Sequence, residues 1–302
     1  MPNTMIYSKK LIALMVLLLP ILATAQEDLL EGLENETEVN QEVSAAFKGL
    51  KVVNFESTKL AGKGDFFFIV SHRFGTVKYG FDDFFGLDNA VTQLKFVYGI
   101  GEHWNVGVAR SSFQKKYGIH FKYRVLQQKE NGSPFTLVGY HLVTINTSLD
   151  KDLLPNLEFG DRLTYTHQLL LSRKISESLS LLLAPTYVHE NLATRSSVQQ
   201  DDETVLIYDE KNSQFALGMG GRYKLSKRLS LNLDYGIHLN RNSHSIYKNP
   251  LSVGVDIETG GHVFQLHFTN AQAMFEEGFI VQGNGDWGDG DFFFGFNLSR
   301  VF

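Results

Sequence analysis

The chain has 302 residues, no cysteine, 28 Lys and Arg against 33 Asp and Glu, and a formal net charge of −5. Without cysteine it has no disulfide, no Cys-ligated metal and no lipid-modified cysteine, and the acidic balance argues against a nucleic-acid partner. Mean hydropathy is −0.13, yet the chain holds 24 Phe and 12 Tyr, an aromatic load that sheets favour over helices.

At the N-terminus, Lys9 and Lys10 precede an apolar run from Leu11 to Leu22, followed by Ala23-Thr24-Ala25. The run is shorter than the ~20 residues a membrane-spanning helix needs. It has the layout of a secretory signal peptide over residues 1–25. Removing it takes the basic residues from 28 to 26 against 33 acidic ones, so the mature chain carries −7. Residues 26–42 are acidic and weakly apolar, which suits a flexible lead-in. Residues 43–64 hold a short apolar core at Val52, Val53 and Phe55. Residues 26–64 are therefore expected to form an acidic N-terminal segment and a candidate plug, in the periplasm or the lumen.

From residue 65 onward the pattern has period two. Leu229, Leu231, Leu233, Tyr235, Ile237 and Leu239 share one face, and Ser230, Asn232, Asp234, Gly236, His238 and Asn240 share the other. A helix cannot segregate such a pattern and a strand can. Leu251, Val253, Val255 and Ile257 repeat it, as do Tyr117, Ile119, Phe121, Tyr123 and Val125. About twelve such strands are expected, near 65–74, 90–100, 103–113, 117–127, 135–147, 161–174, 178–190, 212–224, 228–240, 251–258, 261–270 and 291–302. Their lengths cluster near the ~9–11 residues with which a tilted strand crosses a bilayer.

Long and short connections alternate, as in barrels with brief periplasmic turns and extended outer loops. The turns carry fitting residues: Gly99 and Gly101, Asn131-Gly132 with Pro134, and Gly260-Gly261. The charged faces suit a watery lumen and the apolar faces suit lipid. Hydrocarbon also requires every backbone group to be paired. The expected fold is all-β: an antiparallel, up-and-down transmembrane barrel over 65–302, with the last strand zipped to the first. The expected location is the outer membrane of a Gram-negative cell. Phe302 resembles the terminal aromatic signal by which barrel assembly machinery recognises such strands.

The stretches HRFG (72–75), FFGLDNA (84–90), VGVARSSFQKKYG (106–118) and GFNLSRVF (295–302) are similar to a β-barrel family of Bacteroidota, the domain-of-unknown-function 5777 family. The similarity runs from about Phe47 to the end. It implies membrane location and barrel architecture, and it transfers no functional residue.

The inward faces nominate lumen residues: Lys95, His120, Lys122, Arg124, Arg162, Arg222, Lys224, Asp234, His238, Asp256, Glu258 and His267. Basic residues gather on the earlier strands and acidic ones on the later, which gives either a transverse field across a pore or a salt-bridged filling. A twelve-stranded barrel is intermediate between filled eight-stranded and open sixteen-stranded ones. The ten histidines form no metal-ligand motif. His167 shares the lipid face with Leu163, Tyr165 and Leu169 and needs a partner there. A Ser–His pair on the outer wall of a twelve-stranded phospholipase offers an analogy, and no serine motif supports it. Asp286, Asp289 and Asp291 among glycines are weak calcium candidates, and no cofactor is expected. Asp201, Asp202, Glu203, Asp209 and Glu210 read as a solvated outer loop. The functional expectation is a non-enzymatic, narrow channel for small solutes of unspecified identity. A binding or scaffold barrel is the alternative, and a lipid-modifying hydrolase the distant one.

Overall fold

The computed structural model describes residues 46–129, 132–199 and 204–302. The expected signal peptide, the acidic stretch that follows it, Asn131 and residues 201–203 lie outside the described residues. The alternating sequence forms strands β1 (Phe66–Thr76), β2 (Ala90–Gly101), β3 (Trp104–Ser111), β4 (Lys116–Leu126), β5 (Thr136–Asn146), β6 (Leu163–Lys174) and β7 (Leu179–Glu190). It continues in β8 (Arg195–Gln199), β9 (Val205–Asp209), β10 (Ser213–Lys224), β11 (Leu229–His238), β12 (Leu251–Thr259), β13 (His262–Thr269) and β14 (Phe293–Val301).

All but β8 and β9 close into one antiparallel barrel, in the order β1-β14-β13-β12-β11-β10-β7-β6-β5-β4-β3-β2. β1 pairs on one side with β2 and on the other with β14, with Phe67 opposite Val301. Among the described residues, closure leaves the wall no free strand edge to face hydrocarbon. The two faces are as the alternation requires. On β11, Leu231 and Leu233 are 42% and 47% exposed on the outside, while Asn232 and Asp234 are 1% and 0% exposed on the inside.

The short turns repeat one device. In both 175–178 and 225–228 a serine, Ser176 or Ser226, accepts the N–H groups of the next strand's start. Such Ser-to-backbone bonds are the chemistry of tight turns. The long connections do two things that the strand pattern does not announce. Residues 191–212 raise the separate β8–β9 hairpin. Residues 270–292 turn back inward and form a short helix, α1 (Glu276–Val281), all six residues of which are buried. The composition fits the inward turn, because Phe275, Phe279, Ile280 and Val281 leave water there and are 0–5% exposed. Arg241 fixes the end of α1 by donating to the carbonyls of Ile280 and Val281.

Candidate functional site

Two segments occupy the lumen. The first is the stretch before β1. Its residues 50–57 form a hairpin, closed by Val52 N–H to Phe55 O at 2.8 Å and Ser57 N–H to Leu50 O at 2.8 Å. Phe47, Val52, Val53 and Phe55 are 0–1% exposed. Phe55 lies against the inner wall at Gly218, where a Cβ would run into its ring. The absence of a side chain on β10 is what admits the hairpin tip at that height. The second segment is α1 with its flanks. The two meet in mid-barrel, where the Phe55 and Phe279 rings stand edge to face at 4.9 Å.

The wall holds the hairpin tip through its backbone. Asp234 Oδ2 accepts the N–H groups of Val53, Asn54 and Phe55 at 3.0, 2.7 and 3.1 Å. Three successive N–H groups converging on one oxygen make an anion-binding nest, here filled by the wall's own carboxylate. On the carbonyl side, Gln265 Nε2 donates to Val52 O and Asn297 Nδ2 donates to Val53 O at 3.2 Å. The Asn54 amide donates to Ser252 and Thr269 at 3.0 Å each and accepts from Arg73 at 3.0 Å.

Charge holds the opposite flank. The Glu56 carboxylate bridges two ammoniums, Lys95 at 2.6 Å and Lys122 at 3.0 Å. Burial alone would raise this carboxyl, but Lys95 first and Lys122 second outweigh burial and hold it well below the usual carboxylate range. Lys51 Nζ donates to Asn54 O at 3.1 Å and Met274 O at 3.0 Å, and stands 3.7 Å from Glu276. Lys51 thus ties the hairpin to the approach of α1. Glu277 in turn accepts from Lys116 at 3.2 Å and Thr144 at 2.8 Å. Near the rim, Lys48 stands 3.4 Å from Glu258, which also accepts from Arg222 at 2.9 Å. Above α1, a cavity of about 270 Å³ is lined by Lys116, Arg162, Glu190, Arg195, Tyr247 and Gln282, among others.

The residues nominated from sequence divide accordingly. Lys95, Lys122 and Asp234 contact the hairpin, and Glu258 reaches it through Lys48. His120 is buried beside Tyr140, with ring centroids 5.6 Å apart. His238 bonds Gln214 at 2.7 Å, Asp256 accepts from Gln265 at 2.6 Å, and His267 is buried beside Gly254. Arg222 pairs with Glu258, whereas Lys224 stands at the strand end and is only half-buried. Arg124 is half-exposed and bonds Gln127 at 3.3 Å. Arg162 precedes β6 and donates to Asn146 O and Leu149 O at the rim. The residues that sequence reasoning missed are Arg73, Lys116, Gln265 and Asn297 on the wall, and Lys51, Asn54, Glu56, Glu276 and Glu277 on the inserts. A glutamate next to the apolar run Val52–Phe55, and a Glu-Glu pair amid Phe275–Val281, were the available signals.

The calcium candidates do not converge. The Asp286 side chain accepts from Gly288 N–H at 2.8 Å and pairs with Lys248 at 3.1 Å. Among the described residues, no group of three or more His, Asp or Glu is placed to hold a metal. On the outer wall, His167 has a partner: its Nδ1 lies 2.6 Å from Nδ1 of His141, the residue directly opposite on β5. Nearby, Ser213 Oγ lies 3.0 Å from both His189 Nδ1 and Tyr187 Oη.

A family model described as a membrane bound beta barrel domain matches residues 47–302. No curated protein matches the chain. Among solved structures, the NanC porin is similar at 11% identity over 78% of this chain and 98% of the porin, with a TM-score of 0.47. The KdgM porin is similar at 8% identity over 79% of this chain and 99% of its own, with a TM-score of 0.44. An outer membrane channel from Pseudomonas putida F1 is similar at 13% identity over 81% of this chain and 97% of its own, with a TM-score of 0.45.

Proposed function

We propose a function from one premise: the chain belongs to the domain-of-unknown-function 5777 family of membrane-bound β-barrels. It is an outer-membrane channel for small solutes, closed here by two inserts. One observation carries this reading. The wall side chains alone do not fill the barrel: the hairpin of residues 50–57 and helix α1 complete the filling. Smaller barrels are filled by their own side chains, and wider ones leave a lumen. The hairpin is held by hydrogen bonds and ion pairs to wall groups that water or a solute can replace. Residues 46–64, the described part of the expected N-terminal plug, enter in this reading from the periplasmic end.

The reading is non-enzymatic. Ser213 Oγ is shared between His189 and Tyr187, and the wall amides that would form an oxyanion hole belong to the ladder between β7 and β10. The alternative, a binding or scaffold barrel, is favoured by the connection between β1 and β2. There Tyr79, Phe81 and Phe84 are exposed, and Phe84 and Phe85 hold left-handed backbone at φ 50° and 57°. Strained, exposed aromatics are a feature of binding loops.

Single-channel recording of refolded protein separates the two. The full chain is expected to be silent or to open rarely, and a chain lacking residues 26–60 to conduct in steps. Silence of both, and of the shortened chain carrying Glu277→Gln to loosen α1, refutes the channel and leaves the scaffold.

A further inference from the structure

We propose that the lumen, once the inserts withdraw, selects solutes bearing carboxylate groups, because the inserts occupy the lysines of the wall with carboxylates of their own. The inference rests on the channel reading and names its solute class.

The argument is an accounting of charge on the wall. Three wall lysines make their ion pairs with the inserts. Glu56 of the hairpin serves Lys95 on β2 and Lys122 on β4, and Glu277 of α1 serves Lys116 on β4. These lysines are 2–4% exposed, so each lies behind an insert. The acidic side is arranged differently. Glu258 is paired with Arg222 within the wall, and Asp256, held by the neutral Gln265 amide, keeps its charge on β12, which β13, β14 and β1 separate from β2. Asp234 and Arg73 both hold Asn54, so removal of Asn54 leaves them facing one space with opposite charge. Glu190, which lines the same cavity as Lys116, offsets that lysine in part. Withdrawal of the inserts therefore leaves Lys95 and Lys122 as the uncompensated pair, on the side of the barrel where β3 alone separates them.

The geometry around Glu56 says which anion suits that pair. Its two oxygens divide between the two ammoniums at 2.6 and 3.0 Å. A solute carboxylate arriving in the lumen meets the same two donors at the same spacing and competes with Glu56 for them. Two ammoniums facing one lumen without a counterion repel each other. The anion that replaces Glu56 thus favours the open state and is drawn to the lysine pair.

The test uses full-length protein in planar bilayers, carrying E56Q and E277Q to loosen both inserts. Under a potassium chloride gradient the opened channel is expected to prefer the anion by about tenfold. Adding K95Q and K122Q in the same background is expected to abolish the preference. Cation preference, or an anion preference that survives loss of both lysines, overturns the solute class and leaves the channel standing. A second readout does not depend on conductance. The chain has no cysteine, so A46C in the buried stretch before the hairpin reports release by maleimide labelling. Potassium succinate is expected to speed labelling severalfold over potassium chloride at equal ionic strength. Silent bilayers with succinate-specific labelling overturn the channel while upholding carboxylate capture by the lysine pair. Equal labelling in the two salts overturns the capture itself.

Discussion

At the scale of single residues, two carboxylates of the lumen perform opposite tasks. Asp234 belongs to the wall and binds the hairpin's backbone, so it reads the shape of the chain and not its side chains. Glu56 belongs to the hairpin and binds wall lysines, so it reads charge. The second task has a pH signature. An ordinary glutamate titrates near ~4.3. In the docked hairpin the two lysines hold Glu56 lower than that, against the pull of burial. A depressed acid contributes stability that is complete above its free value and is lost as pH falls through its docked value. The share of docking that Glu56 supplies is therefore expected to be flat from pH 8 to pH 5 and to be lost progressively below about 4. Maleimide labelling is too slow in acid, so protection of residue 50–57 amides by hydrogen exchange is the suitable measurement. Glu56→Gln is expected to lower protection already at pH 7 and to remove the acid limb; an acid limb unchanged in that variant assigns it elsewhere.

At the scale of elements, the hairpin and α1 form one closure and not two independent ones. They touch through Phe55 and Phe279 and through Lys51 with Met274 O and Glu276. Residues in contact couple, and edge-to-face ring pairs are worth about 0.5–1.5 kcal/mol beyond burial. Phe55→Ala and Phe279→Ala are each expected to release the hairpin partially, and the double variant to fall short of their sum by about that amount. Strict additivity in hydrogen-exchange protection separates the two inserts. Much of this fold was legible beforehand, because a strand under lipid on one side and water on the other must alternate, as Leu229–His238 does. The apolar core at Val52–Phe55 also showed that the chain before β1 needed a place to bury. What it packs against was not legible: the wall partners of Asn54 and Glu56 lie 19–215 positions away along the chain, and no local period encodes such pairs. Nor was α1 legible, since six residues are too few for a helical period to emerge from a long connection. Inward positions were readable from the register, whereas Arg162, just ahead of β6, was not, because the alternation stops where the strand does.

At the scale of the whole molecule, closure decides where the chain can live. A sheet with this outer face and two free edges would expose unpaired backbone to hydrocarbon, each group costing several kcal/mol. The seam between β1 and β14 removes that cost, and it extends to the final residue. Phe302 N–H donates to Phe66 O at 2.9 Å, and Phe66 N–H donates to Phe302 O at 3.3 Å. The Phe302 ring is nonetheless 63% exposed, stacked loosely on Phe66 at 6.2 Å and under the Arg300 guanidinium at 4.6 Å. The Phe302 backbone thus seals the seam while its ring stays outside it, so the expectation that the ring marks the strand for assembly machinery is distinct from a role as a staple. The two roles separate by experiment. Phe302→Ala keeps the backbone bonds and removes the ring. If the ring is a mark, folding into plain lipid vesicles, read by the heat-dependent gel shift of a closed barrel, proceeds at the unchanged rate. Folding in vesicles that carry barrel assembly machinery then slows severalfold. If the ring is only a staple, both rates fall together, because the loss is then in the seam that every route to the closed barrel must form.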